Sequence, residues 1–450
     1  MAILFLLISV LLIILLTVRF KVHPFVALLL VAILYGFMAG MPMNQIIASV
    51  NKGFGNTLGG IGMIIILGVI IGAFLEKSGG AYALANKVIK VTGPKRVPTA
   101  MGIIGWIVSI PVFADSGFIL LSPLNKSLSK KAGISLSGSA IALGLGLTAA
   151  HTMVPPTPGP IYAANELGAD LGLVMLVGIP ISLLALAVGL LFAKKIVGKS
   201  YIDPAPDISE AEIAEQMKTA PGAAWSSLPI VVPIILIVVR SLLVTQGFSP
   251  LSEDYDNYNI GIRLLLFLGE PFIALIIGMF LSFTLPRGLE AEMFSTSGWI
   301  GKALVSAAGI LLITGAGGIF GQVLRDSGIA VMLGDILGGV DLGIWLPFFL
   351  AASLKTAQGS STVALTTAAA ILAPITGDLG FETGLQKAMV VIAIGAGSAV
   401  VSHANDSFFW VLTRLSGMNV NQGYRFFSLG TLILGTSAAF FLFLAYVILT

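Results

Sequence analysis

Cysteine is absent from this chain of 450 residues, so no disulfide, thiol nucleophile or cysteine-ligated metal contributes to it. Charge is scarce: 10% of residues are Asp, Glu, Lys or Arg, against roughly 25% in a soluble domain. Histidine occurs three times, at His23, His151 and His403. No GxxxxGK[ST] loop occurs, which argues against ATP hydrolysis within the chain, and no HExxH motif offers a zinc site. The net charge of +3 gives no reason to expect nucleic acid, because the basic residues gather at the ends of apolar runs.

What is present is apolar. A hydrophobic fraction of 57% and a mean hydropathy of +1.02 leave a polytopic helical membrane protein as the class. The 53 glycines and 21 prolines lie within apolar runs, where they mark close helix packing and helix breaks rather than disorder. The run 2–18 has no basic residues before it and is followed by Arg19 and Lys21, so it reads as a first spanning helix rather than a cleaved signal. The longest polar stretch, about 198–224, holds Asp203, Asp207, Glu210, Glu212 and Glu215 and reads as a loop with one short surface helix.

Three echoes run through the chain. PFVAL at Pro24 resembles PFIAL at Pro271, 247 residues on. GAFLEKSG at Gly72 resembles GQVLRDSG at Gly321, an offset of 249, and His151 and His403 are 252 apart. A nearly constant offset argues for a duplication joined at the acidic loop. The expected units are a first repeat over 1–197, a cytoplasmic linker over 198–225 and a second repeat over 226–450.

Lysine and arginine set the orientation. Helices are expected over about 25–41 and 59–76, the second ending at Lys77, Lys87, Lys90, Lys95 and Arg96 in the cytoplasm, which places the N-terminus outside. Lys95 and Arg96 precede the segment 97–125, and Lys126, Lys130 and Lys131 follow it. A segment with both ends on one side cannot cross once, so it reads as a re-entrant hairpin turning at FADSG, 113–117. A helix broken near His151–Pro160 follows, over about 135–165, then one over 171–193. The second half repeats the order upside down: helices at 226–246, 270–286 and 303–324, a hairpin over about 343–375 with its tip at 357–362, a broken helix over about 386–413, and a last helix at 424–449, with the C-terminus outside. Eighteen of the 24 Lys and Arg then lie inside, and Arg240 is the least comfortable exception. Drawing the hairpins as full spans is the alternative. The fold class is thus an all-α polytopic membrane protein of two inverted repeats, each with five transmembrane helices, a re-entrant hairpin and a broken helix, the pattern of a secondary transporter.

Polar groups at tips and breaks in a bilayer are costly and point to a site. Asp115 can carry a proton or cap its half-helix. His151 and His403 can relay protons, bind a carboxylate as cations, or simply pack. Asn405 and Asp406 can bind hydroxyls or a proton, or cap the half-helix from Ser407. Gly359, Ser360, Ser361 and Thr362 open a half-helix whose N–H groups and hydroxyls suit an anion. Lys355 can meet an acid or snorkel outward. The prolines at 155, 156, 158 and 160 enforce a break. Glu76 and Arg325 read as interfacial caps.

At these residues the chain resembles the gluconate permease (Gnt) family of bacterial symporters, along its whole length and most specifically in FADSGFILLSPL (113–124), AHTMVPPTPGP (150–160), QGSSTVALTTAAAILAP (358–374) and SHANDSFFW (402–410). The resemblance implies uptake of gluconate, a related sugar acid, glycerate or D-serine, generally with protons, in the bacterial inner membrane. It also implies an ion-transporter fold in which a transport domain moves as an elevator. Gluconate carriers of the family commonly have HGFLPPHPGP, where this chain has Thr157, and a bulky aromatic where it has Ala114; both differences point to a different small hydroxy acid. The expected substrate ligands are Ser116, Gly117, His151, Thr152, Thr157, Gly359, Ser360, Ser361, Thr362, His403 and Asn405. The expected proton carriers are Asp115, His151, His403 or Asp406, with no metal and no cofactor beyond a coupling H+ or Na+. The partners are a small organic acid and the lipid bilayer, and the chain can assemble as a homodimer. Sodium coupling is the runner-up; a passive channel and an intramembrane enzyme are remote.

Overall fold

The computed structural model describes residues 2–93, 96–204, 220–248, 250, 255–328, 342–403 and 406–450. Lys95, Asn405 and the loop acids Asp207, Glu210, Glu212 and Glu215 lie outside these residues. Every described element is helical. Six helical stretches are long and apolar enough to cross a bilayer, and a seventh if the bent pair Ile260–Leu268 and Pro271–Phe283 is one span.

The first half runs α1 (Ala2–Ile14), α2 (Pro24–Met38), α3 (Met43–Lys77), α4 (Gly80–Thr92), α5 (Val97–Ser109), α6 (Ala114–Lys131), α7 (Leu136–Met153), α8 (Pro158–Leu167) and α9 (Leu171–Lys195). The second runs α10 (Ala223–Thr245), α11 (Ile260–Leu268), α12 (Pro271–Phe283), α13 (Trp299–Asp326), α14 (Trp345–Gln358), α15 (Ser361–Leu372), α16 (Gly384–Ser398), α17 (Ser407–Leu415) and α18 (Leu429–Leu449). Two departures from sequence expectation stand out. α3 continues through Asn44, Asn51, Lys52 and Asn56, so it is 35 residues long where a shorter helix is expected. The basic stretch after Lys77, for which no element is expected, forms the amphipathic α4.

The hairpins follow from local chemistry. α5 has 13 residues, α14 has 14 and α15 has 12. At about 1.5 Å per residue these three arms reach roughly 20 Å, short of a hydrocarbon core of about 30 Å, whereas α6, with 18 residues, reaches about 27 Å. Gly359 turns the second tip at φ 90°, a conformation that a Cβ disfavours, and Ser360 caps α15 through Val363 N at 3.3 Å. Pro158 starts α8, and three prolines within four residues keep α7 from running into it.

Packing depends on small residues. α3 and α13 are antiparallel: Gly53 faces Gly318, and Gly62 faces Leu311. α5 lies on α7 with Gly146 against the Gly102 carbonyl, and α14 lies on α16 with Gly397 against the Phe348 carbonyl. Backbones this close admit no side chain. Arg240, uncomfortable in the sequence, is neutralised by Glu270 at 2.7 Å and Asp170 at 4.0 Å.

Gly146→Val is therefore expected to destabilise by about 3 kcal/mol or more, since the α5 backbone cannot yield to the added methyls. Gly55→Ala, whose new methyl would meet nothing within 4 Å, should stay within about 0.5 kcal/mol of the parent. Thermal midpoints of the purified variants in detergent check both.

Candidate functional site

Both hairpin tips and both helix breaks border one cavity of about 480 Å3. Its walls include Phe113, Ala114, Asp115 and Ser116 from the first tip and Thr148 and His151 from the end of α7. Lys355 and Gly359–Thr362 come from the second tip, and Ser402, Asp406, Ser407 and Phe408 from the second break. Three helix N-termini converge there, those of α6, α15 and α17. Their dipoles make the cavity favourable to an anion.

Lys355 lies deepest. Its side chain is 1% exposed, and its Nζ donates to Asp406 Oδ2 at 2.7 Å and to the Gly359 carbonyl. It neither snorkels outward nor stands open for an acid. Asp406 Oδ2 also accepts from the Ser402 hydroxyl, and its Oδ1 accepts from Phe408 N at 3.1 Å, capping α17. The break leading to Asp406 is itself constrained. Val401 has φ 47°, unusual for a β-branched residue. Thr431 Oγ1 accepts from Ser402 N at 3.0 Å, and the Ser428 hydroxyl donates to Ser402 O. These two bonds from the last helix bundle fix the strained turn.

Asp115 is placed differently. Its Oδ2 accepts from the Ser407 hydroxyl at 3.1 Å, which ties the first tip to the second break. Among the described residues no cation lies within ion-pair distance of it. His151 borders the cavity with its ring edge-on to Phe113 at 6.0 Å, and its Nδ1 is buried with no hydrogen-bond partner among the described residues. A buried nitrogen without a partner carries a desolvation cost until it gains one.

Not every expected ligand lines the cavity. Gly117 packs under Leu147. Thr152 donates to Thr148 O, and Thr157 to Val154 O at 2.7 Å. His403 Nε2 donates to Thr356 O at 2.8 Å and clamps the second tip instead of facing the cavity. Sequence reasoning passed over Ser402, Ser407, Thr148 and Phe408, although Ser402 and Ser407 immediately flank the HAND segment, and Ser407 opens a half-helix.

The cavity adjoins a further space on one side. A second space of about 240 Å3 shares Phe113, Ser116 and Ser306 with it and leads past Glu76, Lys77, Trp299 and Lys302. That is the end of the bundle where α3 finishes and α13 starts. Toward the other end, Arg325 of α13 pairs with Glu166 of α8 at 2.7 Å, and Thr57 of α3 donates to Glu166 Oε1 at 3.4 Å. Arg325 is thus a cross-helix pairing residue rather than an interfacial cap.

The two carboxylates should respond differently to neutralisation. Asp406→Asn strands the buried Lys355 charge and is expected to cost about 3–5 kcal/mol. Asp115→Asn, which can still accept from Ser407, should cost about 1 kcal/mol or less. Thermal midpoints of the two purified variants, measured side by side, check this order.

The GntP family permease profile matches residues 1–448. The chain is 36% identical to the inner membrane permease YgbN of Escherichia coli, over 95% of this chain and 94% of that one. It is 32% identical to a gluconate permease of Pseudomonas aeruginosa, over 98% and 97%, and 33% identical to the D-serine transporter DsdX of Escherichia coli, over 95% and 94%. The fold is shared with the Alcanivorax borkumensis YdaH transporter, at a TM-score of 0.64 and 15% identity over 95% of this chain and 98% of that one. An apolar helical bundle closed around a polar midchain cavity, matched end to end by this profile, belongs to the GntP family of permeases, which are membrane transporters and not enzymes.

Proposed function

We propose that this permease moves a small hydroxylated carboxylate, gluconate or a shorter relative, across the bacterial inner membrane together with a proton. The observation that carries the reading is the unequal state of the two cavity carboxylates. Asp406 is neutralised by Lys355, whereas Asp115 meets only a hydroxyl among the described residues. An anionic substrate held at the α15 N-terminus by Ser360, Ser361 and Thr362 adds a second negative charge beside Asp115. At about 5 Å and an effective dielectric near 20, the repulsion is about 3 kcal/mol. Protonating Asp115 removes it, so proton and substrate each favour binding of the other, as linkage requires. His151, with its free Nδ1, is the second group suited to a substrate hydroxyl. Ala114 lines the cavity where family gluconate carriers commonly have an aromatic, while Thr157 is turned away, so the first difference bears on the pocket and the second only on the break.

An elevator of two inverted repeats fits the packing. α5 with α7, α14 with α16, α6 with α17 and α8 with α15 associate as one body around the cavity. α3 with α13, α2 with α13 and α3 with α12 form the other. Each of these pairs maps onto its counterpart, or onto itself, when the halves are exchanged. With the Lys77 end of α3 in the cytoplasm and both termini outside, the open vestibule faces inward and the Glu166–Arg325 pair closes the outer side. A zwitterionic amino acid is the second reading, since its ammonium could meet the Asp115 carboxylate without a coupled proton.

Proteoliposomes test both. An inward proton gradient should drive accumulation of gluconate or glycerate. Asp115→Asn should lose that accumulation while keeping substrate exchange; unchanged pH-driven uptake by the variant would refute the role. Accumulation of D-serine alone would favour the second reading. Orientation is checked separately: in this cysteine-free chain, Lys130→Cys should react with an impermeant maleimide only from the cytoplasmic face.

A further inference from the structure

The oxygens around Lys355 are those a bare monovalent cation would choose. The Gly359 carbonyl, turned by a left-handed residue at the C-terminus of α14, the Asp406 carboxylate and the Ser402 hydroxyl meet at a hairpin tip beside a helix break. Unwound carbonyls, half-helix C-termini and a carboxylate are the usual elements of a coupling-ion site in a transporter, and the helix dipole there favours positive charge. Here the position is filled by Nζ, which is fully enclosed.

We propose that the Lys355 ammonium is a tethered stand-in for a coupling cation, filling a latent sodium site and making the transporter indifferent to Na+. The cation is then permanent, so it cannot dissociate with each cycle, and the variable charge is left to Asp115. This last consequence rests on the proton-coupled reading; occupancy of the site does not. Removing the lysine side chain leaves a buried carboxylate, a carbonyl and a hydroxyl around a vacated space, an arrangement that demands a counter-charge.

The test uses the purified full-length protein without substrate. Thermal midpoints are compared in NaCl and in choline chloride at equal ionic strength. The parent should show no difference. Lys355→Ala should be selectively stabilised by sodium, by about 2 °C at ~100 mM if its affinity is about 10 mM. Lys355→Ala combined with Asp406→Asn should lose that response. A sodium-specific rise in the parent, or none in a folded Lys355→Ala, overturns the proposal. If Lys355→Ala aggregates in choline, recovery of a monodisperse peak when sodium is present during solubilisation supports the proposal, and failure to recover overturns it. No proton gradient or substrate enters these measurements, so loss of pH-driven uptake by the parent would sink the symport reading while leaving the sodium result standing, and the converse also holds.

Discussion

The buried pair of Lys355 and Asp406 organises the centre of this molecule. Taking two charges out of water costs several kcal/mol per ion, and the loss is offset only where geometry and further hydrogen bonds are good. Here the supporting bonds tie the pair to three neighbouring segments. Lys355 holds Gly359 and with it the turn into α15, while Asp406 caps α17 and secures Ser402. Ser407, one residue on, reaches Asp115 in the other half, and Phe408 packs edge-on to Phe118 at 5.9 Å. The position of three helix N-termini around the cavity therefore descends from one ion pair. Loss of either partner would disturb the cavity through the backbone as well as through charge.

A second buried pair lies where α8 meets α13. Glu166 is almost wholly buried at 3% side-chain exposure, and Arg325, at 35%, reaches it from the water side. Tyr162 OH, on the same helix as Glu166, is buried without a hydrogen-bond partner among the described residues. An interface whose polar groups are incompletely satisfied is held less tightly than a dry core of the same area. Toward α8 and α15, α13 presents Gly317 and Gly321, set against Tyr162 and Ala370. A surface without side-chain ridges presents few interlocking steps to a sliding neighbour. On the elevator reading, the same interface is both the outer closure and the track.

Much of this arrangement is legible in the sequence because its causes are local. Pro155, Pro156 and Pro158 forbid a continuous helix, and Gly359 permits a tight tip. These are properties of one segment in its solvent. The long α3 is not legible, because the polar side chains of Asn44, Asn51 and Lys52 mimic a loop until the neighbours of that helix are known. Nor is the fate of Lys355, whose partner Asp406 lies 51 positions away. The same limit applies to His403: its counterpart at the first break faces the cavity, yet nothing in the local sequence says that His403 turns to the Thr356 carbonyl.

That divergence between equivalent positions has a physical consequence. A perfectly symmetric pair of halves would present the cavity with two like tips and two like breaks, and so with charges that vary together. Here the second half contributes a cation and an anion locked to each other, whereas the first contributes a carboxylate and an imidazole without such locks. The locked pair leaves Asp115 and His151 as the titratable cavity groups without an ion-pair partner among the described residues. On the proton-coupled reading, this asymmetry confines the charge that responds to an anion to the first half, and linkage then makes proton and anion each favour the binding of the other.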